Sequence, residues 1–127
     1  MNKIIMGIVI LLVVYGGFAV YKNQKDRAVG TTGEGPTKNF TVVGTDYSFS
    51  PAAISVKKGD TVNITFTSND GYHDLMVDGY NVSTERVNTN GKATVSFVAD
   101  KAGSFSYYCT VGSHRDKGMN GTLVVTE

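Results

Sequence analysis

Four side chains in this 127-residue sequence combine into one candidate set of metal ligands: His73, Cys109, His114 and Met119. Three fall in one segment, Cys109-Thr110-Val111-Gly112-Ser113-His114-Arg115-Asp116-Lys117-Gly118-Met119, with the pattern Cys-x4-His-x4-Met. A loop of this length can fold back so that thiolate, imidazole and thioether face one point, and Gly112 and Gly118 give its turns their backbone freedom. His73, 36 residues before Cys109, can add a second imidazole from a neighbouring strand. One thiolate and two imidazoles in a trigonal plane, with a weak axial thioether, suit copper cycling between its two oxidation states. Zinc accepts Cys and His, but Met is not expected in a structural zinc site. On this reading Cys109 gives the strongly coupled covalent bond and His73 and His114 complete the plane. Met119 favours the reduced ion and raises the potential. Such a site keeps no open position for a substrate, so the expected work is electron transfer and not catalysis.

Each residue alone has a plainer explanation. An inward histidine is more often a satisfied core residue, a loop methionine is more often packing, and a lone cysteine is more often buried filler. Here the only cysteine and both histidines of the chain fall into one coherent set, with the methionine at a spacing the loop permits. That convergence favours the metal. A purple two-copper centre needs two cysteines, and a multicopper oxidase or nitrite reductase needs more than two histidines, so enzyme readings fail. The second reading is copper storage or delivery to an extracytoplasmic cuproenzyme, although carriers that release copper use more exposed Met or His clusters. A metal-free adhesion or sensing sandwich leaves all four residues unexplained.

The elements that must position these groups are strands. Beyond residue 38 the dominant period is two. Val62, Ile64 and Phe66 alternate with Thr61, Asn63 and Thr65; Val95 and Phe97 with Thr94 and Ser96; Phe105, Tyr107 and Cys109 with Ser104, Ser106 and Tyr108. Shorter strands are expected at Phe40–Val43, Ile54–Lys57 and Thr122–Val125. Turn chemistry bounds the runs at Ser50-Pro51, Lys58-Gly59-Asp60, Asn69-Asp70-Gly71, Asn90-Gly91, Ala102-Gly103 and Asn120-Gly121. The pattern indicates an all-β antiparallel sandwich or barrel, with no helical periodicity after residue 21. His73, Leu75 and Val77 fall on one face of a strand, with Asp74, Met76 and Asp78 on the other. If the apolar face is inward, His73 points into the core, as does Cys109 beside Phe105 and Tyr107. The Gly79–Gly91 segment reads as a plain connecting loop.

Composition agrees with one small domain. Residues 38–127 carry eight Lys/Arg and nine Asp/Glu, close to neutral, and no basic stripe argues for nucleic acid. One cysteine allows no internal disulfide. Four Asn-x-Ser/Thr sequons occur, at Asn39, Asn63, Asn81 and Asn120, and none is assigned a glycan. Residues 4–21 form an uncharged run of 18 between Lys3 and Lys22, long enough as a helix to span about 27 Å. This favours a membrane anchor over 1–21. The rival is a cleaved signal peptide, with small-x-small at Gly17-Phe18-Ala19. Either puts the domain at 39–127 outside the cytoplasm, in the periplasm or at the cell surface, or secreted if the leader is cleaved. The Gly-rich stretch 22–38 is expected to act as a tether.

Residues 39–127 resemble the cupredoxins, the blue copper family, and the Cys-x4-His-x4-Met spacing is similar to that of its rusticyanin and auracyanin members. Tyr47-Ser48-Phe49-Ser50-Pro51 and Ile54-Ser55-Val56-Lys57-Lys58-Gly59-Asp60-Thr61-Val62 are similar to the family's early strands. The resemblance implies an eight-stranded Greek-key sandwich with one type 1 copper ion near one end. It also implies that His114 presents its edge to solvent as the electron portal. Expected partners are redox proteins of cytochrome or oxidase type, met by a monomeric domain held at the membrane. Three departures stand out. Asp74 follows the first His where many relatives have Asn, so it is either a carboxylate tying that strand to the Cys loop or a solvated outward residue. Arg115, Asp116 and Lys117 replace an apolar apron, making either a charged docking surface or solvated loop charges. Tyr72 precedes His73, which makes a fifth carbonyl ligand less expected.

Overall fold

The computed structural model describes residues 35–127. The expected membrane segment at 1–21 and most of the tether at 22–38 lie outside the described residues. Nine strands follow one another: β1 Thr37–Thr45, β2 Ser48–Ser50, β3 Ala53–Lys57, β4 Thr61–Ser68, β5 Met76–Val77, β6 Val82–Ser83, β7 Lys92–Val98, β8 Gly103–Tyr108 and β9 Asn120–Thr126. Among the described residues there is no helix. The first strand takes in Thr37 and Lys38, which the sequence pattern left in the tether.

The strands form two sheets, one ordered β2-β1-β4-β7 and the other β3-β9-β8-β5-β6. Alternation decides which residues meet. In β4, Val62, Ile64, Phe66 and Ser68 are buried while the residues between them are only partly so. Val42, Phe49, Val95 and Phe97 join them from the same sheet. The other sheet contributes Ile54, Val56, Leu75, Val77, Tyr107, Leu123 and Val125, and the two sets make one hydrophobic core. Two pairings differ from the antiparallel expectation: β1 runs parallel to β4, and β3 parallel to β9. Period-two alternation reports which face a side chain takes and carries no information about strand direction, so this was not legible from the pattern.

One close packing bears on the site. Tyr107 lies opposite Gly121 in the β8–β9 register. A Cβ on Gly121 would stand 2.3–2.6 Å from the Tyr107 ring and hydroxyl, so only glycine lets the ring lie flat on β9. The Tyr107 hydroxyl donates to the Pro51 carbonyl at 2.6 Å. That fixes the strand two residues before Cys109.

Candidate metal centre

Each candidate ligand has its own means of support. Cys109 directly follows β8 and is buried, its N–H donating to the Met119 carbonyl at 3.2 Å. The chain then turns back on itself: His114 N–H bonds the Val111 carbonyl and Lys117 N–H bonds the Ser113 carbonyl, both at 3.1 Å. Gly118, at φ +109°, adopts a conformation that side chains rarely allow. Met119 N–H then donates to the His114 carbonyl at 3.1 Å. The Met119 backbone is thus bonded to both other ligands of its loop, and its side chain is fully buried. His73 comes from the opposite end of the β5 segment. The expected strand over His73–Val77 is regular only at Met76–Val77, and His73 is held by a separate bridge to Val87, with bonds of 3.0 and 2.9 Å.

Three donor atoms meet. His73 Nδ1 and His114 Nδ1 are 3.1 Å apart, and Cys109 Sγ lies 3.8 Å from the first and 3.6 Å from the second. A triangle with these sides has a centre about 2.0 Å from every corner. That is a bond length for imidazole nitrogen and a little short for thiolate sulfur, judged by about 2.0–2.1 and 2.3 Å at zinc. The donor set of two imidazoles, one thiolate and the adjacent buried thioether fits a type 1 copper ion. His73, Cys109 and Met119 are buried, whereas His114 is partly exposed, so it is the ligand that reaches the surface.

Burial sets the protonation of the metal-free donors. Burial is the main cause that pushes the Cys109 thiol up, so without metal it keeps its proton. Burial, then the neighbouring His73 ring, hold His114 below the usual imidazole range, leaving it neutral and able to ligate near pH 7. Metal uptake must therefore displace the thiol proton.

Asp74 turns out to tie the two ligand segments together. It is buried, so of the two readings left open for it the solvated outward one fails. Its carboxylate accepts the Thr110 N–H at 2.7 Å and also the Thr110 hydroxyl, fixing the residue after Cys109. Arg86 Nε stands 3.6 Å from Asp74 Oδ2, and its Nη2 donates to the Thr110 carbonyl and hydroxyl oxygen at 3.3 and 3.2 Å. The Gly79–Gly91 segment is therefore more than a connector. It contains β6, the His73 bridge and the counter-charge of Asp74, with Thr84 exchanging bonds with Leu75. Sequence reasoning missed Arg86 because nothing in its local pattern marks a contact 24 residues away. Alanine at Asp74 should leave the Thr110 donors and Arg86 without their acceptor and destabilise the metal-free protein by about 1–3 kcal/mol in urea unfolding. Asparagine, which keeps an acceptor for Thr110 and loses only a half-exposed ion pair, should cost less than about 1 kcal/mol.

Around His114 the surface is aromatic and cationic. The Tyr47 and His114 rings are 4.9 Å apart, and Lys117 Nζ lies 4.4 Å above the Tyr47 ring. Arg115 stacks over Tyr108 at 3.7 Å, which makes Tyr108 part of the loop's outer wall.

Comparison with known proteins agrees with this geometry. Residues 8–125 match the family model of the cupredoxin-like domain. Halocyanin from Natronomonas pharaonis is 30% identical over 114 residues, spanning 87% of this chain and 63% of that protein. Nitrous-oxide reductase from Cupriavidus necator is 34% identical over 99 residues, 75% of this chain and 14% of the reductase. The chain thus spans less than two thirds of either relative. Among solved structures, the dithionite-reduced auracyanin of Roseiflexus castenholzii superposes with a TM-score of 0.64 at 20% identity, covering 73% of this chain and all of that one. Auracyanin A of Chloroflexus aurantiacus, a "blue" copper protein, gives 0.62 at 24% identity, covering 72% and all. With the two-sheet fold and the ligand loop in hand, the chain belongs to the cupredoxin-like family.

Proposed function

We propose that this protein carries single electrons through one type 1 copper ion held by His73, Cys109 and His114, with Met119 as the weak axial ligand, between redox proteins at a membrane. The observation that carries the reading is the triangle of two Nδ1 atoms and one Sγ with its centre about 2.0 Å from each. Copper, when bound, supplies the one-electron couple. The chain does the rest. Its loop bonds from Cys109 to Met119 and from Met119 to His114 hold the donors in one arrangement, so little has to move between oxidation states. Burial of Cys109 and Met119 keeps water from the sulfur ligands, and the exposed side of His114 offers the short route to a partner.

Exposed Arg115, Asp116 and Lys117 flank His114, which favours a charged docking surface whose association weakens with salt. The uncharged run at residues 4–21 supports attachment to a membrane with the copper domain outside the cytoplasm. Addition of one equivalent of Cu(II) to the full chain is expected to give an intense visible thiolate-to-copper absorption and a reversible one-electron wave. A colourless complex would end the proposal. Rapid copper loss to a chelator without a reversible wave would favour copper delivery instead.

A further inference from the structure

The buried imidazole of His73 has a second nitrogen, and its neighbourhood is built. Nε2 is fully buried and has no hydrogen-bond partner. Yet the carboxylate oxygen Oδ1 of Asp46, in the turn between β1 and β2, stands 3.1 Å away, within ion-pair distance but off the direction of a good hydrogen bond. We propose that Asp46 is the positioning partner of His73: it takes the Nε2–H, so that Nδ1 faces the metal, and its charge draws the couple toward Cu(II). This rests on the copper reading above.

Two features hold the pair in place. The Asp46 N–H donates to Asp70 Oδ1 at 2.7 Å, fastening the turn to the segment just before His73. Gly71 lies between the partners at φ +81°, and a Cβ there would stand 2.9 Å from both Asp46 Oδ1 and His73 Nε2. The absent side chain is what lets carboxylate and ring meet. Gly71 is itself fixed by its N–H to Thr89 Oγ1 at 2.9 Å, and Ser68 Oγ donates to its carbonyl at 2.7 Å. The logic is that of outer-shell control: once Nδ1 gives its lone pair to a metal, the remaining N–H becomes a stronger donor, and an anionic acceptor orients the ring and raises its basicity. A buried N–H without such an acceptor is disfavoured. The Asp46 side chain is about half exposed, so a small rotation can bring it into line while water still solvates its other oxygen.

The test uses the full chain and two variants. Asp46→Asn keeps an acceptor oxygen and removes the charge; Asp46→Ala removes both. Each is expected to shift the Cu(I)/Cu(II) equilibrium toward Cu(I) by about tenfold, which for one electron is about 59 mV of potential. Affinity of the metal-free protein for Co(II) should fall about 10-fold or more in the alanine variant and less in the asparagine variant. In the diamagnetic Cu(I) form, the His73 Nε2–H resonance should be protected from exchange in the parent and in Asp46→Asn and lost in Asp46→Ala. Variants that keep the copper equilibrium and Co(II) affinity within about twofold of the parent, while the parent shows its thiolate-to-copper absorption, would overturn the assignment. A parent chain without that absorption would overturn the copper site itself.

Discussion

Serine at Cys109 should give a protein that folds, takes up Cu(II) weakly and shows none of the parent's intense visible absorption. The sulfur is the only thiol in the chain and one of three corners of the donor triangle. A serine oxygen is harder, and as an alcohol it does not ionise near neutral pH, so it supplies neither the soft anion nor the covalency that copper uses. Losing an outer-shell partner costs about 10–100-fold in metal affinity, and losing this first ligand should exceed about 100-fold. The fold should survive because the change is nearly isosteric and Cys109 lies at the end of the core, with about 1–3 kcal/mol lost by burying a hydroxyl. The check is a Cu(I) competition titration beside an absorption spectrum and urea unfolding of the metal-free variant. Retained colour at parental affinity would show that Cys109 is not a ligand.

The largest loss of stability is expected at Phe66, whose truncation to alanine should cost about 3–5 kcal/mol. Its ring is fully buried in β4, edge-on to Phe49 at 5.9 Å and 77°. Phe49 in turn meets Tyr107 of the other sheet at 5.5 Å. On its other side the ring presses against β1, since a Cβ on Gly44 would come within 2.7 Å of Phe66 and 3.0 Å of Met119 Cε. The cavity left by alanine would therefore open between the two sheets, beside Met119. Both sheets are twisted walls tied by main-chain bonds, so little collapse can fill it. Denaturant unfolding of the metal-free protein should show a lower midpoint at unchanged slope, and thermal unfolding a fall of well over about 10 °C for a domain this size. A loss below about 1 kcal/mol would mean that the ring is not the keystone between the sheets.

Much of this was legible because a strand's inner face is a simple code. Alternation around Val62, Ile64 and Phe66, or around Phe105 and Tyr107, located six strands to within three residues of their ends. It also turned His73 and Cys109 inward, as found. The ligand set was legible for a chemical reason, since the residue types that bind copper are scarce here and fell into one pattern. What stayed hidden was carried by single contacts across long gaps. Asp46 sits in a Thr45-Asp46-Tyr47 turn that looks like any other, and its meeting with His73 depends on where β1 and β4 place their ends. For Asp74 alternation gave the outward face while the family resemblance left a tie to the Cys loop open; the strand is regular only at Met76–Val77, so the pleat does not govern it and the tie is found. The two-residue strands β5 and β6 are too short to impose a period of their own.

The order in which β3 and β9 are joined has a consequence for how the molecule is made. Among the described residues β3 finds its neighbour only in β9, the last of their strands, which follows the Cys-His-Met loop. A growing polypeptide leaving the ribosome therefore cannot finish its second sheet until synthesis has passed residue 126, and pairings so distant along the chain form slowly. By then every ligand has been translated. A nascent chain halted before β9 would offer a thiol and imidazoles with no completed sandwich to discipline them.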